Sequence, residues 1–282
     1  MLELTHQEGP MTSSIEATAR WTAAVRAAET TRDDRLFEDP WAEALAGPEG
    51  AAWIAGRPPG STLPIAIRTR FFDDWLRRVA IEDGIRQVVL LAAGLDTRAY
   101  RLPWAAGTTV FELDRPAVLA GKRDVLDGTG ATPACERRAV GADLAGDWTA
   151  ALLASGLDPA RTTAWLVEGV LFYLPREAID RILDDVTRLA APGSGLGFDI
   201  VNAHVLTSPW TNPWVEMQAA AGAPWVGTMD DPASEVAARG WVATVTQPGS
   251  PEANHGRWTL PVVPAEIADM PHSWYVTAAP AG

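Results

Sequence analysis

Residues 88–98 read VVLLAAGLDTR: an apolar run, a step through small residues, and then an acid, a hydroxyl and a base. A short apolar run that ends in a tight turn is typical of a strand buried on both faces of a sheet. In an open parallel sheet, ligands bind beyond the carboxyl ends of the strands, where loop amides and helix N-termini point at them. Residues 92–98 would hold that position, and Gly94 would let the backbone approach a ligand closely.

Several more short apolar segments follow, separated by helical stretches. They read GTTVFELD, TTAWLVEG and GLGFDIVN, with WVATVTQ and SWYVTAAP near the end of the chain. Between them, helical spacing of apolar residues is clear at Ile179, Ile182, Val186 and Leu189. The alternation of strands and helices predicts an α/β fold with a doubly wound, mostly parallel, Rossmann-like sheet.

The first third of the chain is predicted to be helical. Ser13 and Glu16 have the spacing of a capping box before an alanine-rich helix, and Asp39 and Gly47 bracket a short second helix. A third helix is indicated by an apolar stripe at Ile65, Phe72, Trp75, Leu76 and Val79. These patterns predict an N-terminal helical cap over residues 1–84 and a Rossmann-like core over 85–282. A Pro- and Trp-rich segment at about 203–230 is expected to be inserted as a lid.

Composition excludes several classes of protein. The net charge of −13 leaves no basic stripe for a phosphate backbone, so a nucleic-acid partner is not expected. One cysteine, Cys135, and scattered histidines at 6, 204, 255 and 272 provide no metal-ligand spacing, so no metal site is expected. Neither a long apolar span nor a signal peptide is evident, which predicts a cytoplasmic protein without a membrane partner.

Two acids at the end of the second predicted strand suggest what the turn binds. Glu112 and Asp114 lie roughly 20 residues beyond the first turn, where a ribose diol is gripped in nucleotide-binding sheets. A nicotinamide cofactor is one alternative, but the turn has a single glycine and sets Asp96 where a pyrophosphate would meet a negative charge. Asp96 and Thr97 would otherwise cap the next helix. A cofactor with a ribose and no phosphate, such as S-adenosyl-L-methionine, suits this pattern better.

Four motifs, in this order, support that interpretation: VVLLAAGLDTRAYRL, FELDRPAVLAGK, GADLAGDW and WLVEGVLFYLP. Together with IRTRFFDDWL before them and GWVATV and HGRWTLP after them, they resemble the leucine carboxyl methyltransferase family of class I S-adenosylmethionine-dependent methyltransferases. The similarity is greatest to its actinobacterial O-methyltransferase branch, and it covers nearly the whole chain. Ala92 departs from the family pattern by replacing a glycine, and His255 stands where a tyrosine is commoner.

The resemblance implies a set of cofactor-binding residues. Arg70 would pair with the cofactor carboxylate, with Arg68 as the alternative in the same helical turn. Gly94 and Glu168 would lie at the methionine end, and Asp114 at the ribose, with Glu112 as its competitor. The remaining implied contacts are to adenine, from Asp143 and Leu144; otherwise Asp143 would cap the following helix.

The acceptor half of the site is less defined by the sequence. A carboxylate acceptor is already ionised at neutral pH, whereas a hydroxyl needs a general base, for which His204 and His255 are the candidates. We expect a hydroxyl acceptor, because both histidines fall in segments predicted near the mouth of the site. Tyr173 is expected to pack near the cofactor. Tryptophans in the predicted lid favour a flat or apolar acceptor, or they fill the core beneath it.

Three functions are therefore compared. The first is an O-methyltransferase that modifies a hydroxyl or carboxyl group of a small molecule in secondary metabolism. The alternatives are a protein C-terminal carboxyl methyltransferase and a non-catalytic protein that only binds the cofactor. A small acceptor needs an enclosed pocket, whereas a protein acceptor needs an open docking face.

Overall fold

A seven-stranded sheet forms the centre of the computed structural model, which describes residues 10–58 and 60–281. The strand order is β3-β2-β1-β4-β5-β7-β6, and β7 runs antiparallel to both neighbours while the other pairs are parallel. The strands are β1 (Gln87–Leu91), β2 (Thr109–Asp114), β3 (Glu136–Gly141), β4 (Thr163–Val167), β5 (Gly195–Val201), β6 (Trp241–Thr246) and β7 (Ser273–Pro280). The predicted doubly wound, mostly parallel α/β fold is confirmed.

Helices cover both faces of this sheet. They are α1 (Pro10–Thr30), α2 (Ala42–Ala55), α3 (Leu63–Leu76), α4 (Arg98–Arg101), α5 (Pro116–Gly128), α6 (Trp148–Ala154), α7 (Arg176–Leu189), α8 (Ala203–Thr207), α9 (Asn212–Ala220) and α10 (Pro232–Ala237). A π-helical turn, Arg77–Glu82, extends α3, and a short 3-10 turn, Leu171–Tyr173, follows β4. In the described part of the chain, no helix combines the length and the apolar character needed to cross a bilayer.

Alternation along β1 divides the core into two layers. Val89 and Leu91 pack with α6 and α7, whereas Val88 and Leu90 pack with the N-terminal helices. Trp75 of α3 fits against β5 only because Gly197 lacks a side chain, since a Cβ there would lie 2.9 Å from the indole. Helices α1–α3 thus share one apolar cluster with the sheet, and the division of the chain at residue 84 stays a prediction.

Two helix starts differ from the sequence prediction. The second helix continues to Ala55 through a kink at Gly47, where φ is 59°. It begins at Ala42, after Trp41, because Asp39 is buried and pairs with Arg26 at 2.8 Å. The first helix begins at Pro10, and the side chains of Ser13 and Glu16 lie outside the described residues.

Strand β3 was absent from the predicted strands. Its sequence, ERRAVG, is charged because β3 lies at the edge of the sheet and only Val140 is buried. Exposed edge strands lack the continuous apolar run that marks the central ones.

The segment expected to form a lid contains α8, α9 and the loop that follows them. The backbone N–H groups of Val226 and Gly227, in this loop, both donate hydrogen bonds to the carbonyl of Phe172 in the 3-10 turn after β4. Val205 and Met229, at either end of the segment, are buried in the core. The segment therefore lies over the turn that follows β4.

Candidate functional site

A cavity of about 550 Å³ lies beyond the carboxyl ends of β1, β2 and β4. One half is lined by loops that leave these strands, and the other half by α1, α2, α3, α9 and the aromatic residues near them. Parallel strands end at the same edge of a sheet, so residues far apart in sequence meet there. Six predicted cofactor residues or alternatives line the cavity: Arg68, Gly94, Asp114, Asp143, Leu144 and Glu168.

The turn after β1 is held in a conformation that favours glycine. Gly94 has a φ of 48° and Ala92 a φ of 51°. The N–H of Gly94 donates to Oδ2 of Asp114 at 2.7 Å, which ties the first turn to the end of β2. Ala92, which replaces a family glycine, thus adopts a left-handed conformation that costs a non-glycine residue about 1 kcal/mol.

Asp114 retains acceptor capacity toward the cavity. Its two oxygens accept the backbone N–H groups of Gly94 and Arg115, at 2.7 Å each. Each carboxylate oxygen has a further lone pair, so hydroxyl donors can still be accepted. Burial raises the pKa of Asp114, although these two backbone donors oppose the shift.

Asp143 does not cap the helix that follows it. Helix α6 begins five residues later, at Trp148, and is capped by Asp147, whose side chain accepts the N–H of Ala150. Asp143 instead accepts the N–H of Ala145 at 2.8 Å through Oδ1 and, with Leu144, lines the cavity. The capping alternative for Asp143 is therefore excluded for α6.

Arg68 lies at the floor of the cavity between two acids. Its Nε donates to Glu168 at 2.9 Å and its Nη1 donates to Asp199 at 2.9 Å. Gly169, with a φ of 73°, makes room for the guanidinium, since a Cβ there would lie 3.1 Å from Nη2. A guanidinium in this position keeps further N–H donors for a ligand carboxylate.

A second arginine, Arg98, connects the turn to the floor. It pairs with Asp73 at 2.7 Å, with Asp96 at 2.5 Å and with Glu168 at 2.8 Å. Burial alone would raise the pKa of Asp96, but the Arg98 guanidinium, together with Lys122, Arg101 and the backbone N–H of Arg98, outweighs burial and holds the pKa at about 2. Asp96 also accepts the backbone N–H of Arg98. Asp96 thus fixes the start of α4 and lines the cavity as an ion pair.

We expect Asp96→Asn to lower the free energy of unfolding by about 2 kcal/mol at neutral pH. The folded pKa of about 2 lies below the ordinary 3.8, so this stabilisation is fully present above the ordinary value and is lost as pH falls through the folded one. Urea unfolding of both proteins at successive pH values measures the difference, which should narrow below about pH 4. A difference that is the same at every pH would contradict this assignment.

Arg70 and Glu112 do not line the cavity, unlike their competitors Arg68 and Asp114. Arg70 faces away from it on α3, where its Nε donates to Asp74 and its Nη1 to the carbonyl of Leu36. Glu112 lies inside β2, fully buried, and binds Lys122 at 2.7 Å. The sequence had left both choices open, and this placement corrects its preference for Arg70.

Neither candidate general base reaches the cavity. His204 lies on α8, and His255 lies in the loop after β6 beside Asp74 and Arg70. Burial lowers the pKa of His255, which keeps its imidazole neutral at neutral pH. The expected placement of both histidines at the mouth of the site is thus not found, because loop paths are not encoded in strand and helix periodicity.

Aromatic rings line the acceptor half of the cavity. Trp21 of α1 stacks on Trp53 of α2 with centroids 5.0 Å apart, and Trp225 contacts Phe172 at 4.5 Å. Tyr173 also lines this half, and burial raises its pKa. Trp21 and Trp53 were not among the predicted site residues: Trp21 falls in the first predicted helix, and Trp53 lies beyond Gly47, where the second predicted helix ended. A periodicity argument places such rings on a helix but does not say which ring faces the site.

Fold and site together define a class I methyltransferase: a mostly parallel sheet with an antiparallel β7 between β5 and β6, and one acid at the end of β2 and another after β3 around one cavity. The family model for leucine carboxyl methyltransferase matches residues 19–187. A relative from Mycolicibacterium smegmatis, provisionally named an S-adenosyl-L-methionine-dependent methyltransferase, is 46% identical over 210 residues, which is 70% of each chain. The protein therefore belongs to the leucine carboxyl methyltransferase family of class I S-adenosylmethionine-dependent methyltransferases.

Solved structures agree on the fold. A provisionally named methyltransferase from Thermobifida fusca aligns with a TM-score of 0.61 and 18% identity, and covers 94% of each chain. A duf574 family protein from Streptomyces avermitilis aligns with a TM-score of 0.60 and 19% identity, over 92% of this chain and 96% of that one. At such identities the likeness establishes the shared architecture only.

Proposed function

We propose that the protein is an O-methyltransferase that transfers a methyl group from S-adenosyl-L-methionine to a hydroxyl or carboxyl group of a small molecule. The observation that carries the proposal is that cofactor-type acids and an aromatic chamber adjoin within one cavity. A chamber lined by aromatic rings suits a small acceptor of the aromatic or polyketide-like kind made in secondary metabolism. The proposed partner is a small-molecule acceptor, and neither a nucleic acid nor a membrane is proposed as a partner.

The cofactor half suits S-adenosyl-L-methionine in its chemistry. Asp114 has acceptor capacity for the ribose hydroxyls, and Asp143 and Leu144 follow β3 where they would meet the adenine. Arg68 supplies a cation for the amino-acid carboxylate, while Glu168 supplies an anion for the ammonium. Gly94 gives the methionine end close access to the backbone. When bound, the cofactor supplies a methyl group that is already activated by a positively charged sulfur.

The residues of the chain act mainly by alignment. Methyl transfer is an in-line displacement, so holding the acceptor oxygen and the methyl carbon in one line can supply several kcal/mol, of the roughly 7 to 11 that positioning can contribute. Arg98 fixes Glu168, and α9 with Trp225 lines the space that would receive the acceptor. The chemistry requires no nucleophilic side chain from the protein.

Between the two acceptors, a carboxylate is now favoured. It is ionised at neutral pH and needs no base, and the described residues that line the cavity include no histidine. A carboxylate acceptor also predicts a nearly flat rate profile from about pH 6 to about pH 9. This replaces the expectation of a histidine-assisted hydroxyl.

We expect His204→Gln and His255→Asn to retain methyl transfer within about twofold of the unchanged protein, because loss of a general base would cost about 100-fold or more. Asparagine is chosen at position 255 because the residue has a φ of 49°, which asparagine tolerates. Initial rates with saturating cofactor measure this, with thermal unfolding as the control for folding. A drop of about 100-fold in either folded variant would restore that histidine as the base.

The proposal is tested by incubating the protein with methyl-labelled cofactor and a metabolite extract, followed by mass spectrometry. We expect label in a small molecule, and mild alkaline hydrolysis separates methyl esters from methyl ethers. Label that appears only in the protein fraction would favour a protein carboxyl acceptor. Binding of S-adenosylhomocysteine without any transfer, across extracts and proteins, would favour a non-catalytic protein.

A further inference from the structure

Helix α9 presents a polar side chain to the acceptor half of the cavity. Trp214 and Gln218 are four residues apart on this helix, which places both on one face, and both line the cavity. Gln218 is only 4% exposed, and it is the buried residue of α9. A buried amide in an aromatic chamber is an unusual choice, because glutamine is mostly exposed in folded proteins.

The amide oxygen of Gln218 has no hydrogen-bond donor among the described residues. Its Oε1 is buried, and no side chain or backbone N–H in residues 10–58 and 60–281 reaches it. Native proteins rarely leave a buried acceptor unpaired, because its lost hydration is not repaid. Such an atom beside a ligand cavity indicates a donor on the ligand.

The rings around Gln218 define the shape of that ligand. Trp214 meets Trp225 edge to face at 6.4 Å, and Trp225 meets Phe172 at 4.5 Å, so the three rings form a continuous wall. The stacked pair of Trp21 and Trp53 lines the same cavity. Aromatic walls of this kind favour flat rings, which stack on them or meet them edge to face.

We propose that Gln218 determines acceptor specificity: its amide oxygen accepts a hydrogen bond from an O–H or N–H group on a planar acceptor, at a position remote from the oxygen that is methylated. The inference rests on the proposed function, and it narrows the substrate class to flat aromatic acids or phenols with a second donor. A site built to satisfy a buried acceptor discriminates against an analogue that lacks the donor.

The test uses matched pairs of probes that differ by one hydroxyl: a hydroxynaphthoic acid against naphthoic acid, and a dihydroxynaphthalene against naphthol. Calorimetry in the presence of saturating S-adenosylhomocysteine gives the dissociation constant of each probe. We expect the unchanged protein to prefer the hydroxylated member of at least one pair by about 10-fold, which corresponds to one hydrogen bond. Gln218→Leu should abolish this preference, and Gln218→Glu, which keeps an oxygen acceptor, should retain it.

Glu216→Gln is the matched control, because Glu216 lies exposed on the same helix and bonds Asn212. It should leave the preference of the unchanged protein intact. An equal preference in the unchanged protein and in folded Gln218→Leu would overturn the role of Gln218. If neither member of either pair binds, the planar class is overturned. Binding of S-adenosylhomocysteine, measured in the same titrations, decides the cofactor separately, so a failure here is distinguishable from failure of the proposed function.

Discussion

Replacing Arg68 with methionine should weaken S-adenosylhomocysteine binding by at least about 100-fold, whereas Arg70→Met should change it by less than about threefold. The first figure follows from losing two hydrogen bonds to a charged group, each worth about 1.5 to 3 kcal/mol. Arg68 lines the cavity with a side chain only 14% exposed, whereas Arg70 is engaged outside it by Asp74 and Leu36. Calorimetric titration of both variants measures the contrast.

Loss of Arg68 should also destabilise the fold, and this must be separated from binding. Its removal leaves Asp199 buried without its paired cation, a change that typically costs about 3 to 5 kcal/mol, while Glu168 keeps its pair with Arg98. Arg68→Lys retains the charge but not the planar fork, so it should preserve more stability than affinity. Normal binding by a folded Arg68→Met protein, with weak binding by Arg70→Met, would reverse the assignment.

The central fold could be predicted from the sequence because its signal is local. β1 and β4 are buried along their whole length, which requires unbroken apolar runs, and α7 buries the predicted Ile179 and Val186. The edge strand β3 lacks that requirement and was missed. The predicted start of α2 was wrong for a different reason. The sequence around Asp39 is typical of a helix cap, but the Asp39 carboxylate forms an ion pair with Arg26 of α1.

The site was predictable in its acids and less so in its cations. The end of the predicted strand β2 marked the pair Glu112 and Asp114, whereas Asp143 was implied only by the family resemblance, because β3 was not predicted. Arg68 and Arg70 are two residues apart, so they lie on different faces of α3, but only tertiary contacts show which face meets the cavity. Gln218 and Trp53 could not be predicted from motifs, because nothing in a single sequence shows which residue of the predicted lid or of the N-terminal helices faces a ligand.

Glu112 and Asp114 show the same limit within one strand. They are two residues apart in β2, so both side chains point to the same face of the sheet. Side-chain direction therefore does not distinguish the two acids. The two acids differ in their distance from the end of the strand. Asp114 is the last residue of β2, whereas Glu112 lies inside the strand and beneath α5. Helix α5 supplies the fully buried Lys122. One acid therefore faces the cavity and the other serves the fold.

Substitution of Glu112 should therefore affect mainly stability, and substitution of Asp114 mainly cofactor binding. Glu112→Leu should lower the free energy of unfolding by about 3 to 5 kcal/mol, because it leaves buried Lys122 and Arg137 without their carboxylate. Asp114→Ala should instead weaken S-adenosylhomocysteine binding by about 100-fold, since it removes the charged acceptor for the ribose hydroxyls. Urea unfolding and calorimetry, applied to both variants, measure the two effects.

A double variant tests whether charge burial is the cause of the instability. Adding Lys122→Met to Glu112→Leu removes the buried cation together with its partner, and apolar replacement of a whole buried pair is often close to neutral. We therefore expect most of the lost stability to return, with Arg137 left to reach solvent through its 11% exposed side chain. If the double variant is as unstable as Glu112→Leu alone, the loss arises from packing around position 112. If Glu112→Leu is stable but fails to bind S-adenosylhomocysteine, then Glu112 and not Asp114 holds the ribose.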